Sequence, residues 1–555
     1  PRAETETTMP LAQALSRHLG SCLARWAFGV ALVPLLAAAQ PAAPTEPLLR
    51  IEAGMHAAVV RAVATDASGR WAITAGEDKT ARVWDAQTGR LLQTLRPPIA
   101  AGDEGKLYAV AVTADGNTVA VGGWTKLGSP SGHAVYLFDR ATGALKFKLT
   151  HAPNVIRQLA FSPDSRWLAA TTAAGLRVWD WRAGGTGLND AEVNETCEGL
   201  AWSPDNRLVT GCYDGQIRLH RMQGSTLVRL AKVAAPGGRQ PSSLAFTPDG
   251  RQVAVAYNDA PRVDVLDGQS LALQLSPDVQ GVKGSFGGVA WSADGRTLAA
   301  GGNHASNNIY IVRRWPDAGR GAAIDTPTVG SSIMMLATLA QGGWLLSATG
   351  TWGVLTADGR WQVKAVPPIA DLRQVSRTQA DFKLAQGGRA VGFSFDYADA
   401  AQATRFNVAR RALEIGALQG GSSPKVEGLD VRDWKSSTQT TYNGKSLPGV
   451  QPREPSTSLA QMPDGSGFVL GTGWNLRHYG ADGQQRWQTP VAGSPWSLNI
   501  PTDGAQAGRM VVGAFGDGTI RWIRLSDGKE LLALYAHADR KRWVLWTPSG
   551  YYDAS

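Results

Sequence analysis

Cysteine is scarce, with three in 555 residues, and no pair of them stands at metal-site spacing, so a small disulfide-stapled scaffold and a zinc ribbon are both excluded. None of the eight histidines sits in a His-Glu-x-x-His arrangement, which removes the zinc-hydrolase signature. Charge is thin as well: 18% of residues, with a net charge of +9 and a pI of about 9.5. Nucleic-acid binders gather basic residues into runs or onto one face. The densest run here is Arg540-Lys541-Arg542, which reads as a solvated loop, and no nucleic-acid partner is expected. Long apolar runs are lacking too. The stretch from Trp26 to Ala39 holds about 14 residues against the roughly 20 of a spanning helix, so stable membrane insertion is not expected.

What the sequence has in quantity is glycine, 64, and tryptophan, 20. Glycine supplies positive φ in tight turns and tryptophan fills flat layers between sheets. The composition therefore points to many short strands and an all-β protein, in a chain long enough for about three to four average domains.

From Met9 a polar stretch carrying Arg17, His18 and Arg25 leads into the apolar run, which ends in small residues at Ala37 and Ala39. That order reads as a secretory signal over residues 1–40 and implies a periplasmic or secreted protein. Cys22 precedes the apolar run, so it does not sit where a lipoprotein is lipidated. Removal of the signal would leave Cys197 and Cys212, which could pair in an oxidising compartment. If they lie on one hairpin, its loop decides, because side chains alternate along a strand. A three-residue loop, Pro204-Asp205-Asn206, places residue 197 opposite 213 and leaves the cysteines apart. A four-residue loop starting at Ser203 brings them face to face. Turn chemistry favours the shorter loop and hence unpaired cysteines.

One cassette recurs along the chain: an apolar residue, a small residue and a large apolar residue, then a Ser/Thr, Pro/Ala, Asp, Gly/Asn/Ser turn. Copies are Leu159-Ala160-Phe161 with Ser162-Pro163-Asp164-Ser165, and Leu200-Ala201-Trp202 with Ser203-Pro204-Asp205-Asn206. Two more are Leu244-Ala245-Phe246 with Thr247-Pro248-Asp249-Gly250, and Val289-Ala290-Trp291 with Ser292-Ala293-Asp294-Gly295. Pro pre-sets φ, Asp bonds the backbone two residues on, and the last residue takes the left-handed position that closes a hairpin. Asp115, Asp164, Asp205, Asp249 and Asp294 are spaced by 49, 41, 44 and 45 residues. A period near 45 with four short strands per unit is that of a propeller blade.

These residues resemble the WD40 family. The first unit matches best, with His56, Thr74, Asp78 and Trp84 where the family places its structural hydrogen-bond tetrad, and with Trp84-Asp85, like Trp179-Asp180 later, as its name-giving dipeptide. Other units keep parts of the pattern: His220 stands at a Trp position in the fourth, and Ile523 follows Asp517-Gly518-Thr519 near the end. The resemblance implies tandem WD40-like β-propellers of four-stranded blades. The first would span 46–365 with about seven blades, near 54–97, 107–150, 155–190, 196–231, 241–275, 286–316 and 331–365. The second, over 366–555, would be divergent and incomplete, with a boundary near Val366-Pro367-Pro368. Residues 526–555, ending in Arg542-Trp543-Val544-Leu545-Trp546-Thr547-Pro548-Ser549-Gly550-Tyr551-Tyr552-Asp553-Ala554-Ser555, are also similar to the tail of bacterial exported WD40 proteins in which a caspase-like peptidase domain follows. That resemblance implies a further blade starting at the tail and peptidase residues lying wholly after Ser555.

No catalytic, metal or cofactor residues are assigned. Asn443-Gly444-Lys445-Ser446 lacks the earlier glycine of a phosphate loop, since position 439 is Gln. Gly128-Ser129-Pro130-Ser131-Gly132 carries Pro where a nucleophile elbow needs Ser. The expected function is an exported, non-catalytic scaffold that binds protein partners through variable loops on the ring faces. Two alternatives stand beside it: the recruiting or regulatory part of a caspase-like peptidase, and a propeller enzyme of quinoprotein dehydrogenase or lactonase type.

Overall fold

The cassette turns close hairpins by the chemistry their residues carry. In the third unit Ser162 Oγ bonds Asp164, the same oxygen accepts from Trp167 N at 2.9 Å, and Asp164 Oδ1 accepts from Arg166 N at 3.0 Å. The residue after the aspartate is left-handed each time: Ser165 at φ +55°, Asn206 at +61° and Gly250 at +70°, which is why this position holds Gly, Asn or Ser. A computed structural model of the chain describes residue 52 and residues 54–555, apart from 101–102, 130, 366–368, 378–380, 396–401, 451–453, 474 and 492. The signal expected over 1–40 and the expected boundary at 366–368 lie outside the described residues.

The architecture is all-β, made of antiparallel propeller blades. The first sheet takes Val60–Thr65, Trp71–Gly76, Ala81–Asp85 and Leu91–Leu95 in that spatial order. Six more sheets follow, with inner strands Leu107–Val112, Ile156–Phe161, Cys197–Trp202, Pro241–Phe246, Gly288–Trp291 and Ile333–Thr338. Each inner strand packs on the next, and that of the seventh sheet packs on that of the first, closing a ring. The seam is sealed by a bridge between Val59 and Thr349, by Lys364 Nζ donating to Gln87 O at 2.6 Å, and by Trp84 against Trp352 with ring centroids 5.5 Å apart. The core lies between the sheets as separate apolar layers; the seam layer holds Val60, Val63, Trp84, Leu345 and Trp352. Alternate faces of each narrow sheet are covered by its neighbours, which is how such short strands bury both sides.

Inner strands are bulged at their second residue in six of the seven blades, at Arg61, Tyr108, Arg157, Glu198, Ser242 and Met334. This corrects the reading of the cysteines. The hairpin of the fourth blade does follow the shorter loop, pairing Leu200 with Thr210, but the bulge at Glu198 shifts register and sets Cys197 opposite Cys212. The two form a disulfide inside the sheet.

The other departures are at the outer edges. The third blade has three strands instead of four, and the outer strand of the sixth, Ile324–Val329, lies beyond the expected limit of 316. Residues 369–555 form four further sheets. That of Lys383–Ile415 packs on that of Pro495–Ala554, which packs on that of Ser456–Pro490, which in turn covers a small sheet of Val431–Arg432, Thr441–Tyr442 and Lys445–Ser446. The tail does not open another blade. Trp543–Trp546 and Tyr552–Ala554 pair onto the outer strand Glu530–Ala536 and widen that sheet to six strands.

Candidate functional site

The residues singled out in the first blade meet in its interior. Thr74, on the second strand, accepts the indole N–H of Trp84 from the third at 2.8 Å, and its Oγ1 lies 2.7 Å from His56 Nε2. His56 Nδ1 lies 2.9 Å from Asp78 Oδ1, which also accepts from Thr80 Oγ1 at 2.9 Å. Burial pushes the Asp78 carboxyl up, but His56, Arg82 and Thr80 outweigh it and hold it down at about 2. Every polar atom of the chain from Trp84 to Asp78 is thereby partnered in a water-poor interior, and the network fixes the blade instead of presenting a reactive group. Asp85 caps the turn into the outer strand, accepting Thr88 N at 2.8 Å and Thr88 Oγ1 at 2.7 Å.

Elsewhere the pattern is rebuilt or incomplete. Trp179 is buried, yet its indole N–H has no partner among the described residues, and Asp180 faces Arg166 Nε at 3.0 Å. His220 stands 3.0 Å from Asp190 through Nε2, and burial pushes its pKa down against the pull of that carboxylate. Near the end Asp517 holds Thr519 N at 3.1 Å and Arg521 Nη2 at 2.9 Å.

A second constellation, which sequence reading missed, surrounds the axis of the seven-bladed ring. Bulges re-aim single side chains out of the ladder, and here successive bulges bring Arg61, Tyr108, Arg157 and Glu198 together at one mouth of the central channel. The Arg61 guanidinium lies over the Tyr108 ring at 5.1 Å and the Arg157 guanidinium approaches the same ring at 5.8 Å. Arg157 Nε is 3.6 Å from Glu198 Oε1, and Arg61 Nε donates to Glu77 Oε1 at 2.6 Å. Around the arc, Asn258 Nδ2 donates to Tyr213 Oη at 3.0 Å. Burial pushes the Glu198 carboxyl up, against the pull of Arg157 and Arg61. Arg61 nevertheless keeps 39% of its side chain accessible and Arg157 32%, as befits groups lining a wet channel. The signal in the sequence is positional: each bulge residue stands five places before the first residue of its cassette turn, as Arg157 does before Ser162 and Glu198 before Ser203. Among the described residues no group of three or more His, Cys, Asp or Glu could hold a metal ion.

The sequence pattern of the WD domain, G-beta repeat, matches residues 50–85, 143–180 and 193–221. The chain carries WD40 repeats. It is 31% identical over 169 residues to the small ribosomal subunit protein RACK1y of Oryza sativa subsp. japonica, a match covering 29% of this chain and 44% of that protein. It is 28% identical over 163 residues to the small ribosomal subunit protein RACK1 of Drosophila melanogaster, covering 28% and 47%. Similarity to the cross-pathway control WD-repeat protein 2 of Flammulina velutipes is 26% over 157 residues, covering 26% and 46%. The chain thus spans less than half the length of these relatives. Two WD40 matches end on the Trp-Asp dipeptides at 84–85 and 179–180, and the third covers the fourth blade as far as Arg221, one residue beyond His220.

Proposed function

We propose that this chain is an exported, non-catalytic scaffold that holds a protein partner at the mouth of its seven-bladed ring. The observation that carries the reading is the gathering of Arg61, Tyr108, Arg157 and Glu198 from four different blades around one water-accessible opening. A rigid ring that presents charged and aromatic groups without a nucleophile and base in register is suited to recognition, since aromatic and Arg anchors dominate protein interfaces. The WD40 relatives point the same way: two are named as ribosomal subunit proteins, and from them only the capacity to hold a partner is carried over. Export is supported by the signal-like segment and by the Cys197–Cys212 disulfide, a bond that persists in oxidising compartments.

The test is chemical crosslinking in periplasmic extract with three forms of the chain: wild type, Arg61→Glu, and Arg251→Glu, whose side chain is 86% exposed in a cassette turn of the fifth blade. A discrete partner recovered with wild type and Arg251→Glu but lost with Arg61→Glu supports the reading. Equal recovery from all three moves the site elsewhere, and recovery from none rejects a scaffold.

A further inference from the structure

The third blade stops at its third strand. Gly175–Asp180 is the edge of a three-stranded sheet, whereas its neighbours in the second and fourth blades each carry a fourth strand. On the outer side of that edge runs the segment 181–196, and its ladder contact among the described residues is one bridge: Val178 N donates to Leu188 O at 2.9 Å and Leu188 N to Val178 O at 2.7 Å. The segment is a poor strand, with Gly184, Gly185 and Gly187 in sequence, all at positive φ, and beside the bridging Leu188 it supplies no side chain at position 187.

What it leaves behind is specific. Arg177 and Trp179 are two residues apart and so point to the same side of the strand. Trp179 is 1% exposed with its indole N–H unpartnered, and Arg177 Nε is buried with no hydrogen-bond partner among the described residues. Burial alone pushes the Arg177 guanidinium down, with no carboxylate to offset it. Gly187 lies against both: a Cβ there would come within 2.7 Å of Trp179 Nε1 and 2.8 Å of Arg177 Cδ. A buried donor without an acceptor is costly, and here two sit side by side. The segment is pinned across the edge by Asp190 on His220 Nε2 at 3.0 Å and on Arg229 Nη1 at 3.2 Å, and by Glu192 on Arg229 Nη2 at 2.8 Å. These anchors belong to the fourth blade.

We propose that the third blade is completed in trans: an extended segment of a protein partner, bearing a carboxylate between apolar residues, adds to Gly175–Asp180 as the fourth strand, displaces the glycine-rich strap at 184–190, and gives its carboxylate to Trp179 Nε1 and Arg177. Strand addition takes affinity from main-chain hydrogen bonds and specificity from alternate side chains, and an edge held by one bridge offers both. The strap competes for the edge, so loosening its anchors raises the fraction of open sites and tightens apparent binding. This site is separate from the channel mouth, and either can fail without the other.

The probe is a fluorescein-labelled peptide, acetyl-Thr-Val-Thr-Val-Asp-Val-Thr-Val-Thr-amide, titrated with the full chain and read by anisotropy. Controls are the same peptide with Lys at its centre and with alternate amides N-methylated. The Asp-centred peptide should bind, at least tenfold more tightly than the Lys-centred one, and N-methylation should abolish binding. Asp190→Asn should tighten binding at least fivefold and Arg177→Met weaken it at least tenfold. Amide exchange at Leu176 and Asp180 should slow in the complex. Absence of binding to both wild type and Asp190→Asn would falsify the proposal, as would equal affinity for the Asp- and Lys-centred peptides. The peptide comparison on wild type decides the matter even if Arg177→Met fails to fold.

Discussion

Arg477 Nη1 lies 2.6 Å from Glu454 Oε1, and neither side chain reaches solvent. Arg477 Nη2 holds the other oxygen at 2.8 Å, and Asn475 Nδ2 donates to Oε1 at 2.9 Å. In the Ser456–Pro490 sheet Arg477 stands opposite Leu470, the register position at which Arg82 stands opposite Thr74 in the first blade. Removing one partner strands a buried charge. Arg477→Met should therefore destabilise the chain by about 3–5 kcal/mol, and Arg477→Met with Glu454→Met by clearly less. Urea unfolding of the three proteins measures the difference; equal losses for the single and double variants would contradict it.

Thr74 serves two donors or acceptors at once, so its hydroxyl is the weakest point of the first-blade network. Thr74→Val keeps the shape and leaves the Trp84 N–H and His56 Nε2 without a partner. The expected loss is about 1–3 kcal/mol for each unsatisfied group, seen as a lower Tm. Thr74→Ser, which restores the hydroxyl, should recover most of it.

Asp78 gives the same network a pH dependence of known sign. Its carboxyl titrates at about 2 in the folded chain and near the ordinary value of about 4 when unfolded. The stabilisation is present above about pH 4 and is lost as pH falls towards 2. Asp78→Asn should flatten that part of the stability profile, and an unchanged acid limb in the variant would show that Asp78 does not shape it.

The Cys197–Cys212 bond closes a loop of 15 residues, for which loop entropy gives about 3 kcal/mol. Adding dithiothreitol to the denatured chain and refolding should lower Tm, while a Cys197→Ser, Cys212→Ser double variant should start lower and ignore the reductant. The disulfide also flanks the bulge that aims Glu198, so the reduced chain should crosslink its partner less efficiently.

The legible part of this molecule was the part written locally. A hairpin turn needs Ser, Pro, Asp and Gly within four residues, so the cassettes could be found one by one, and their period of about 45 residues gave the blades. The four residues of the first unit, His56, Thr74, Asp78 and Trp84, were singled out by the resemblance to the WD40 family and not by local spacing. What stayed hidden depends on pairing. The bulge at Glu198 is invisible until its strand meets the next, and it is what reversed the expectation for the cysteines. The channel mouth joins side chains from segments tens of residues apart, marked in the sequence only by their offset of five from the cassette turns. The third blade, expected over 155–190 with four strands, has three among the described residues, because the glycines at 184, 185 and 187 break the run that would form its outer strand.

The seam between the seventh and first blades has one further consequence. Among the described residues the first sheet comes wholly from 60–95 and the seventh wholly from 333–365, with no strand borrowed across the gap to clasp the circle. The wheel therefore has no privileged spoke. Its residues could be joined head to tail and reopened between any two neighbours, and circular permutation at exposed connectors of this kind is tolerated when buried backbone is left intact.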